Sequence, residues 1–162
     1  MRKENLLISY YVSDSQDDLQ PEEISLLETA SESAKSSYSP YSRYKVGSAV
    51  LLSNGKIVTG SNQENMAFPS GLCAERVALF AAVSNHPGIL IKSIAITARS
   101  EDFPVTDPVT PCGACRQALI EYENNQGKPI RLILGSQSGK TLLIQRISDI
   151  LPLSFREEKL KK

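Results

Sequence analysis

Apolar positions recur along this chain with two periods, and the switches between them mark its elements. Ile24, Leu27, Ala30 and Ala34 repeat at helical spacing. Pro21-Glu22-Glu23 opens that helix, with proline early and acids in the first turn, and it must stop before Ser39-Pro40. The period then falls to two. Tyr44, Val46, Ser48, Val50 and Leu52 mark a strand, and Ala49 and Leu51 make it apolar on both faces. Asn54-Gly55 is a hairpin turn, and Ile57-Val58-Thr59 returns as the second strand. Gly60 to Gly71 reads as a loop.

Cys73 opens a second helix whose inner stripe is Val77, Phe80, Ala81 and Ser84, closed by Asn85-His86-Pro87-Gly88. Ile89 to Ala98 is β-branched and apolar, a central strand. Ser100 to Pro111 holds Pro104, Pro108 and Pro111 and is a loop. Cys112 begins a third helix through Leu119, Ile120 and Tyr122, ended by Asn124-Asn125-Gln126-Gly127. Ile130 to Leu134 and Thr141 to Ile144 read as strands, and Ile147 to Leu151 as a short helix. Strand-helix-strand units imply right-handed crossovers, so helices should cover a mixed sheet of five strands in layers. If the two cysteine-bearing helices lie side by side, their N-termini meet. Ahead of this body, assigned to residues 21–156, residues 1–20 form an arm. Asn5 to Val12 reads there as a strand or ordered extension, and Ser13 to Gln20 as a polar linker. Residues 157–162 are a charged tail.

Composition narrows the function. The chain has 162 residues, which suits one domain with its own core. Its 18 basic and 18 acidic residues cancel, so no global field attracts a polyanion, and a small neutral substrate is favoured over nucleic acid. No segment approaches the roughly 20 apolar residues of a membrane span. The start, Met1-Arg2-Lys3 and then Leu6 to Val12, imitates a signal peptide, but it is short and lacks a small-residue cleavage site. Three cysteines, two of them in a C-x-x-C pair, point to metal or redox chemistry in a reducing compartment. A cytoplasmic location is expected.

The chemistry concentrates in Cys73-Ala74-Glu75-Arg76 and Pro111-Cys112-Gly113-Ala114-Cys115-Arg116-Gln117. Cys112 and Cys115 stand three apart at a helix start, so their sulfurs share a face. A helix N-terminus favours thiolate over thiol. Cys73 is placed likewise at the start of its own helix. Three protein ligands leave tetrahedral zinc an open position, where water becomes a hydroxide source near neutral pH. Glu75 lies two residues from its ligand, close to the metal but free to move protons. Arg76 offsets the negative charge that three thiolates bring. The competing readings are a closed zinc knot and a redox pair. A closed site needs a fourth ligand, and the single histidine, His86, lies beyond the Cys73 helix.

These residues match the three-cysteine form of the zinc deaminase pattern, in which Pro-Cys-x-x-Cys follows the ligand-x-Glu block. Tyr38-Ser39-Pro40-Tyr41-Ser42, Asn62-Gln63-Glu64-Asn65, Gly71 to Arg76 and Leu151-Pro152-Leu153-Ser154-Phe155 resemble successive blocks of cytidine deaminases, from about Glu22 to Phe155. The resemblance implies a three-layer α/β fold, Zn2+, and hydrolytic deamination of cytidine and 2'-deoxycytidine in pyrimidine salvage. It implies a homotetramer with active sites at subunit contacts. It also implies that Asn62 and Glu64 bind the ribose hydroxyls, that the Ala74 backbone donates toward the pyrimidine, and that Phe155 stacks on the base from a neighbouring subunit. Tyr44 stands where the family more often has phenylalanine. A modified or antibiotic nucleoside as substrate, and a structural zinc module without activity, are the alternatives.

Gly135-Ser136-Gln137-Ser138-Gly139-Lys140-Thr141 mimics a phosphate loop but has three residues between its glycines where that motif needs four. A hairpin connection is the expectation.

Overall fold

Six strands form one sheet in a computed structural model that describes residues 1–160. They are β1 (Tyr11–Ser13), β2 (Tyr44–Leu52), β3 (Ile57–Ser61), β4 (Ile91–Ser100), β5 (Arg131–Gly135) and β6 (Thr141–Ile144). The helices are α1 (Pro21–Ser33), α2 (Ala74–Asn85) and α3 (Gly113–Gln126). The spatial order is β1-β6-β5-β4-β2-β3, with β4 and β5 parallel and every other pair antiparallel.

Strand alternation sorts the core into two layers. Ala49 and Leu51 of β2, Ala95 of β4 and Ile133 of β5 face α1, where they meet Leu26, Leu27 and Ala30. Their neighbours Val50, Leu52, Ile94, Ile96, Leu132 and Leu134 face the other way, against Ala78, Leu79 and Ala82 of α2 and Leu119 and Ile120 of α3. The central strands are therefore apolar on both faces, which is why their sequences read as nearly continuous hydrophobic runs. The three-layer fold is as expected.

The strand count is not. The expected sheet had five strands, and the sixth comes from the N-terminal arm, where Tyr11, Val12 and Ser13 pair with Leu143, Leu142 and Thr141. The stretch expected as a linker is structured too. Ser15 caps a 3-10 turn at Gln16–Asp18, and Leu19 is buried at 6% exposure in the α1 layer. Short polar sequences hide such local side-chain bonds from a reading based on periodicity. The helix start at Pro21 holds, and Glu23 accepts from the Gln20 N–H at 2.9 Å and pairs with Arg131 at 2.6 Å.

The inner stripe of α2 also needs correction. Ala78, Leu79 and Ala82 are buried, while Phe80 is 41% exposed and Ser84 lies outside the core. The expected stripe is displaced by about one residue around the helix: Ala78, Leu79 and Ala82 stand next to Val77, Phe80 and Ala81 and are the ones packed into the core. The central strand begins at Ile91, leaving Ile89 and Leu90 exposed in the turn before it. The phosphate-loop mimic is a hairpin connection, with Gly135 opposite Thr141 and Gly139 at a φ of 92°. The C-terminal helix is a 3-10 turn, Ile147–Ile150, and of the charged tail residues 161 and 162 lie outside the described residues. Among the described residues no helix is long and apolar enough to cross a membrane.

Candidate active site

Cys73 and Cys112 are the N-cap residues of α2 and α3, both in extended backbone conformation (φ −71°, ψ 151° and φ −67°, ψ 167°). That conformation curls a side chain back over the first turn, toward N–H groups with no partner inside the helix. Cys115, one turn into α3, is fully buried. Since α2 and α3 lie side by side, the three sulfurs come within 4.8 Å of one another. All three are free thiols, and the Cys112 and Cys115 sulfurs stand 3.4 Å apart, well beyond the roughly 2.05 Å of a disulfide.

Tetrahedral zinc with sulfur at about 2.3 Å needs its thiolates about 3.8 Å apart, so this donor set fits the ion. No fourth protein ligand joins the three among the described residues. His86 caps the far end of α2, about 18 Å away along a twelve-residue helix. The closed-knot reading fails on that distance.

The thiols, Glu75 and Arg76 form one electrostatic unit. A hydrogen bond from Cys115, together with Arg76, pulls the Cys73 thiol down to about 5 against the opposing effect of burial. The Cys115 thiol is pushed the other way, because its proton is held by Cys73, burial disfavours its thiolate and the Glu75 carboxylate is close. The Arg76 guanidinium hydrogen-bonds Cys73 and Cys115, while its Nε is buried without a partner among the described residues. Glu75 is 4% exposed, and burial raises its carboxyl above the ordinary carboxylate range, with the Cys73 charge adding to the rise.

A cavity of about 730 Å³ opens in front of this cluster. Cys73, Cys112, Glu75 and Arg76 line one side, and Tyr44, Asn62 and Glu64 another. Gln63 joins the sides, because its backbone pairs with Leu72 in both directions (2.9 Å each) while its neighbours bind Tyr38. The Tyr38 N–H donates to the Asn62 carbonyl at 3.0 Å, and the Glu64 N–H to the Tyr38 carbonyl at 2.8 Å. Three separate stretches are thereby stitched into one wall.

Glu64 accepts from the N–H groups of Tyr41 (2.9 Å) and Ser42 (3.2 Å) and from the Ser42 hydroxyl. Burial alone would raise its carboxyl, and these three bonds instead hold it below the ordinary range. Asn62 has a structural task that its sequence position did not reveal. Its Oδ1 accepts from the Ser37 hydroxyl and the Val46 N–H (2.8 Å), and its Nδ2 donates to the Tyr44 carbonyl (2.9 Å). Tyr44 stacks on Phe103 with ring centres 6.0 Å apart. The sequence reading passed over Phe103, an exposed aromatic in a proline-rich loop, and over Val109 and Thr110, which also line the cavity. Ala74 is buried as the first residue of α2 and is not among the lining side chains. Phe155 lies outside its own chain's cavity, 71% exposed, with its carbonyl accepting from the Gln117 amide at 3.2 Å.

The family model described as the cytidine and deoxycytidylate deaminase zinc-binding region matches residues 21–126. The chain belongs to the cytidine deaminase family. It is 36% identical to the cytidine deaminase of Halalkalibacterium halodurans over 133 residues, covering 82% of this chain and 93% of the relative. It is 32% identical to the cytidine deaminase of Mycobacterium tuberculosis over 129 residues, covering 78% and 84%. The crystal structure of cytidine deaminase from Burkholderia pseudomallei superposes with a TM-score of 0.70 at 36% identity, covering 82% of this chain and 98% of that one. The family is a zinc-binding one, and Cys73, Cys112 and Cys115 are the residues here that fit the ion.

Proposed function

We infer that the protein hydrolyses cytidine, and 2'-deoxycytidine, to the uridine counterpart and ammonia, as in pyrimidine salvage. One observation carries this. In a chain of this family, a cluster of three thiols, two of which (Cys73 and Cys112) reach the surface of a cavity of about 730 Å³, lies beside the buried carboxyl of Glu75, and Asn62 and Glu64 line the same cavity.

Cys73, Cys112 and Cys115 would hold zinc, which supplies Lewis acidity that makes water nucleophilic near neutral pH. Glu75 accepts a proton from the attacking water and delivers it to ring N3, which makes C4 electrophilic. Water's oxygen bonds C4, the bond from C4 to the amine breaks, and Glu75 carries a second proton to the departing nitrogen. A carboxyl raised by burial suits this work, since it holds a proton long enough to pass it on. Arg76 balances the thiolate charge. The Ala74 N–H, in the first turn of α2, donates toward the pyrimidine.

Hydrogen-bond counting supports ribose recognition. A carboxylate offers about four lone-pair sites, and Glu64 spends three on residues 41 and 42, which leaves one for a hydroxyl. The Asn62 amide spends one N–H on Tyr44 and has a second to give. Tyr44 forms an aromatic wall for the nucleoside. Phe155 stacks on the base in a neighbour's cavity in this reading, within a homotetramer, and its exposure on a segment fastened to α3 is what supports it. An active monomer in size-resolved assay would refute that assembly. Zinc thiolates need reduced cysteines, which supports a cytoplasmic location.

The test is ultraviolet-monitored turnover of cytidine by the zinc-loaded protein beside Glu75→Gln. Cytidine absorbance should fall with the wild type only, while the variant keeps its zinc. Near-full activity in Glu75→Gln would refute the proton shuttle, and no turnover by the loaded wild type would refute cytidine as substrate.

A further inference from the structure

The turn that mimics a phosphate loop binds no phosphate in this reading, yet it is fastened to the loop leading into the metal cluster. The Gln137 N–H donates to the Val105 carbonyl at 2.9 Å, and the Val105 N–H donates back to Gln137 Oε1 at 2.7 Å. The Ser138 hydroxyl donates to the Thr106 carbonyl at 2.8 Å, Lys140 pairs with Asp107 at 3.2 Å, and the Val109 N–H donates to the Gly135 carbonyl at 3.3 Å. One turn between β5 and β6 therefore holds residues 105, 106, 107 and 109 of the other loop.

The far end of that loop is tied to the start of β2. Asp102 pairs with Arg43 at 2.8 Å, Glu101 pairs with Lys45, and Phe103 stacks on Tyr44. At and just past the second mooring along the chain, the loop supplies Val109 and Thr110 to the cavity and then turns into Cys112. Most of its residues are exposed, with Val105 buried at 7%, so little apolar packing orders it. Its hydrogen bonds do.

We propose that Gln137 is a positioning residue for the deamination, acting as a latch that holds the 101–111 loop so that Phe103, Val109 and Thr110 keep the nucleoside wall in place. Gln137 touches neither the cluster nor the cavity; its side chain supplies the acceptor for the Val105 N–H, which has no strand or helix partner. The role rests on the deaminase reading. Without the latch the loop has to be ordered by the substrate itself, and that ordering cost appears as weaker binding with little change in the chemical step.

The experiment compares zinc-loaded wild type, Gln137→Ala and Gln137→Glu, the last of which keeps an acceptor oxygen. Steady-state kinetics with cytidine, zinc content and amide hydrogen exchange at Val105, Val109 and Thr110 are read together. Gln137→Ala should raise KM about tenfold with kcat within about twofold, retain zinc and speed exchange at all three amides, and Gln137→Glu should reverse most of this. An unchanged KM in Gln137→Ala overturns the proposal. So does a fall in kcat with KM intact, or loss of zinc, since each puts the damage elsewhere. Should the wild type itself not act on cytidine, the deaminase reading fails, and exchange still decides the latch. Unchanged exchange in Gln137→Ala removes it, and faster exchange at Val109 and Thr110 keeps it.

Discussion

Gly60 is the position where one methyl group should reach the chemistry without touching it. It lies in β3 beneath α2, and a Cβ there would stand 2.4 Å from the Ala78 nitrogen, 2.8 Å from the Ala74 carbonyl oxygen and 2.9 Å from the Ala78 Cα. Ordinary contacts of this kind begin near 3.4 Å, so Gly60→Ala requires α2 to lift by about 1 Å. The neighbouring atoms are helix backbone, which has no rotamer by which to escape. Overpacking of this kind costs about 1–3 kcal/mol of stability. The larger effect is kinetic, because α2 begins at Cys73 and carries Glu75, and a shift of about 1 Å in a catalytic group costs on the order of 100-fold in turnover. The assay is kcat for cytidine beside urea unfolding of Gly60→Ala, with Gly113→Ala as the control. Gly113 sits next to Cys112 at the start of α3, and a Cβ there meets nothing within 4 Å. The control should keep its turnover and gain slightly from helix propensity. Turnover within threefold of wild type for Gly60→Ala would show that α2 does not rest on the sheet as described.

Glu123→Ala should destabilise by about 3–5 kcal/mol in urea unfolding, because this buried carboxylate accepts the N–H groups of Ile130 (2.9 Å), Ile147 (2.7 Å) and Ser148 (3.0 Å). A loss under about 1 kcal/mol would mean that those donors find other partners. Deleting residues 1–13 removes β1 and bares the edge of β6, and the expected result is a loss of about 1–2 kcal/mol with turnover per folded site retained. Unchanged stability on deletion would show that the three-residue pairing contributes nothing.

What could be read from the sequence follows from where each signal resides. The strands were legible because β2, β4 and β5 are apolar on both faces, and the turns because Gly55 and Gly127 adopt positive φ (84° and 61°), as glycine permits at a hairpin and a helix end. The cysteine cluster was legible because Cys73 and Cys112 cap helix starts and Cys115 follows one turn on, so each helix's share of the cluster is a property of local sequence. The sheet face of α2 is offset from its expected position because Val77, Phe80 and Ala81 and their neighbours Ala78, Leu79 and Ala82 are both apolar at helical spacing, so periodicity alone does not choose between the two faces. The arm was expected as a strand or ordered extension over Asn5 to Val12, but its place in the sheet and its short span, Tyr11–Ser13, were not legible, because an edge strand of three residues has neither periodicity nor burial to announce it. The bonds of Asn62, Glu123 and Gln137 run to backbone groups brought near only by the fold, and no spacing in the chain encodes them.

The meeting of the two cysteine-bearing helices has a topological cause. β3 runs antiparallel to β2, and β2 antiparallel to β4, so β3 and β4 point the same way. Each is followed by a helix on the same face of the sheet. A chain leaving two like-directed strands to cross the same face must begin both helices at the same end of the sheet, beyond the carboxyl ends of the strands. Cys73 and Cys112 occupy those two helix starts, and the third sulfur, one turn further on, completes the set. The arm strand lies at the opposite edge, beyond β6. Adding it changes what the sheet shows to solvent and leaves untouched the geometry that brings the thiols together.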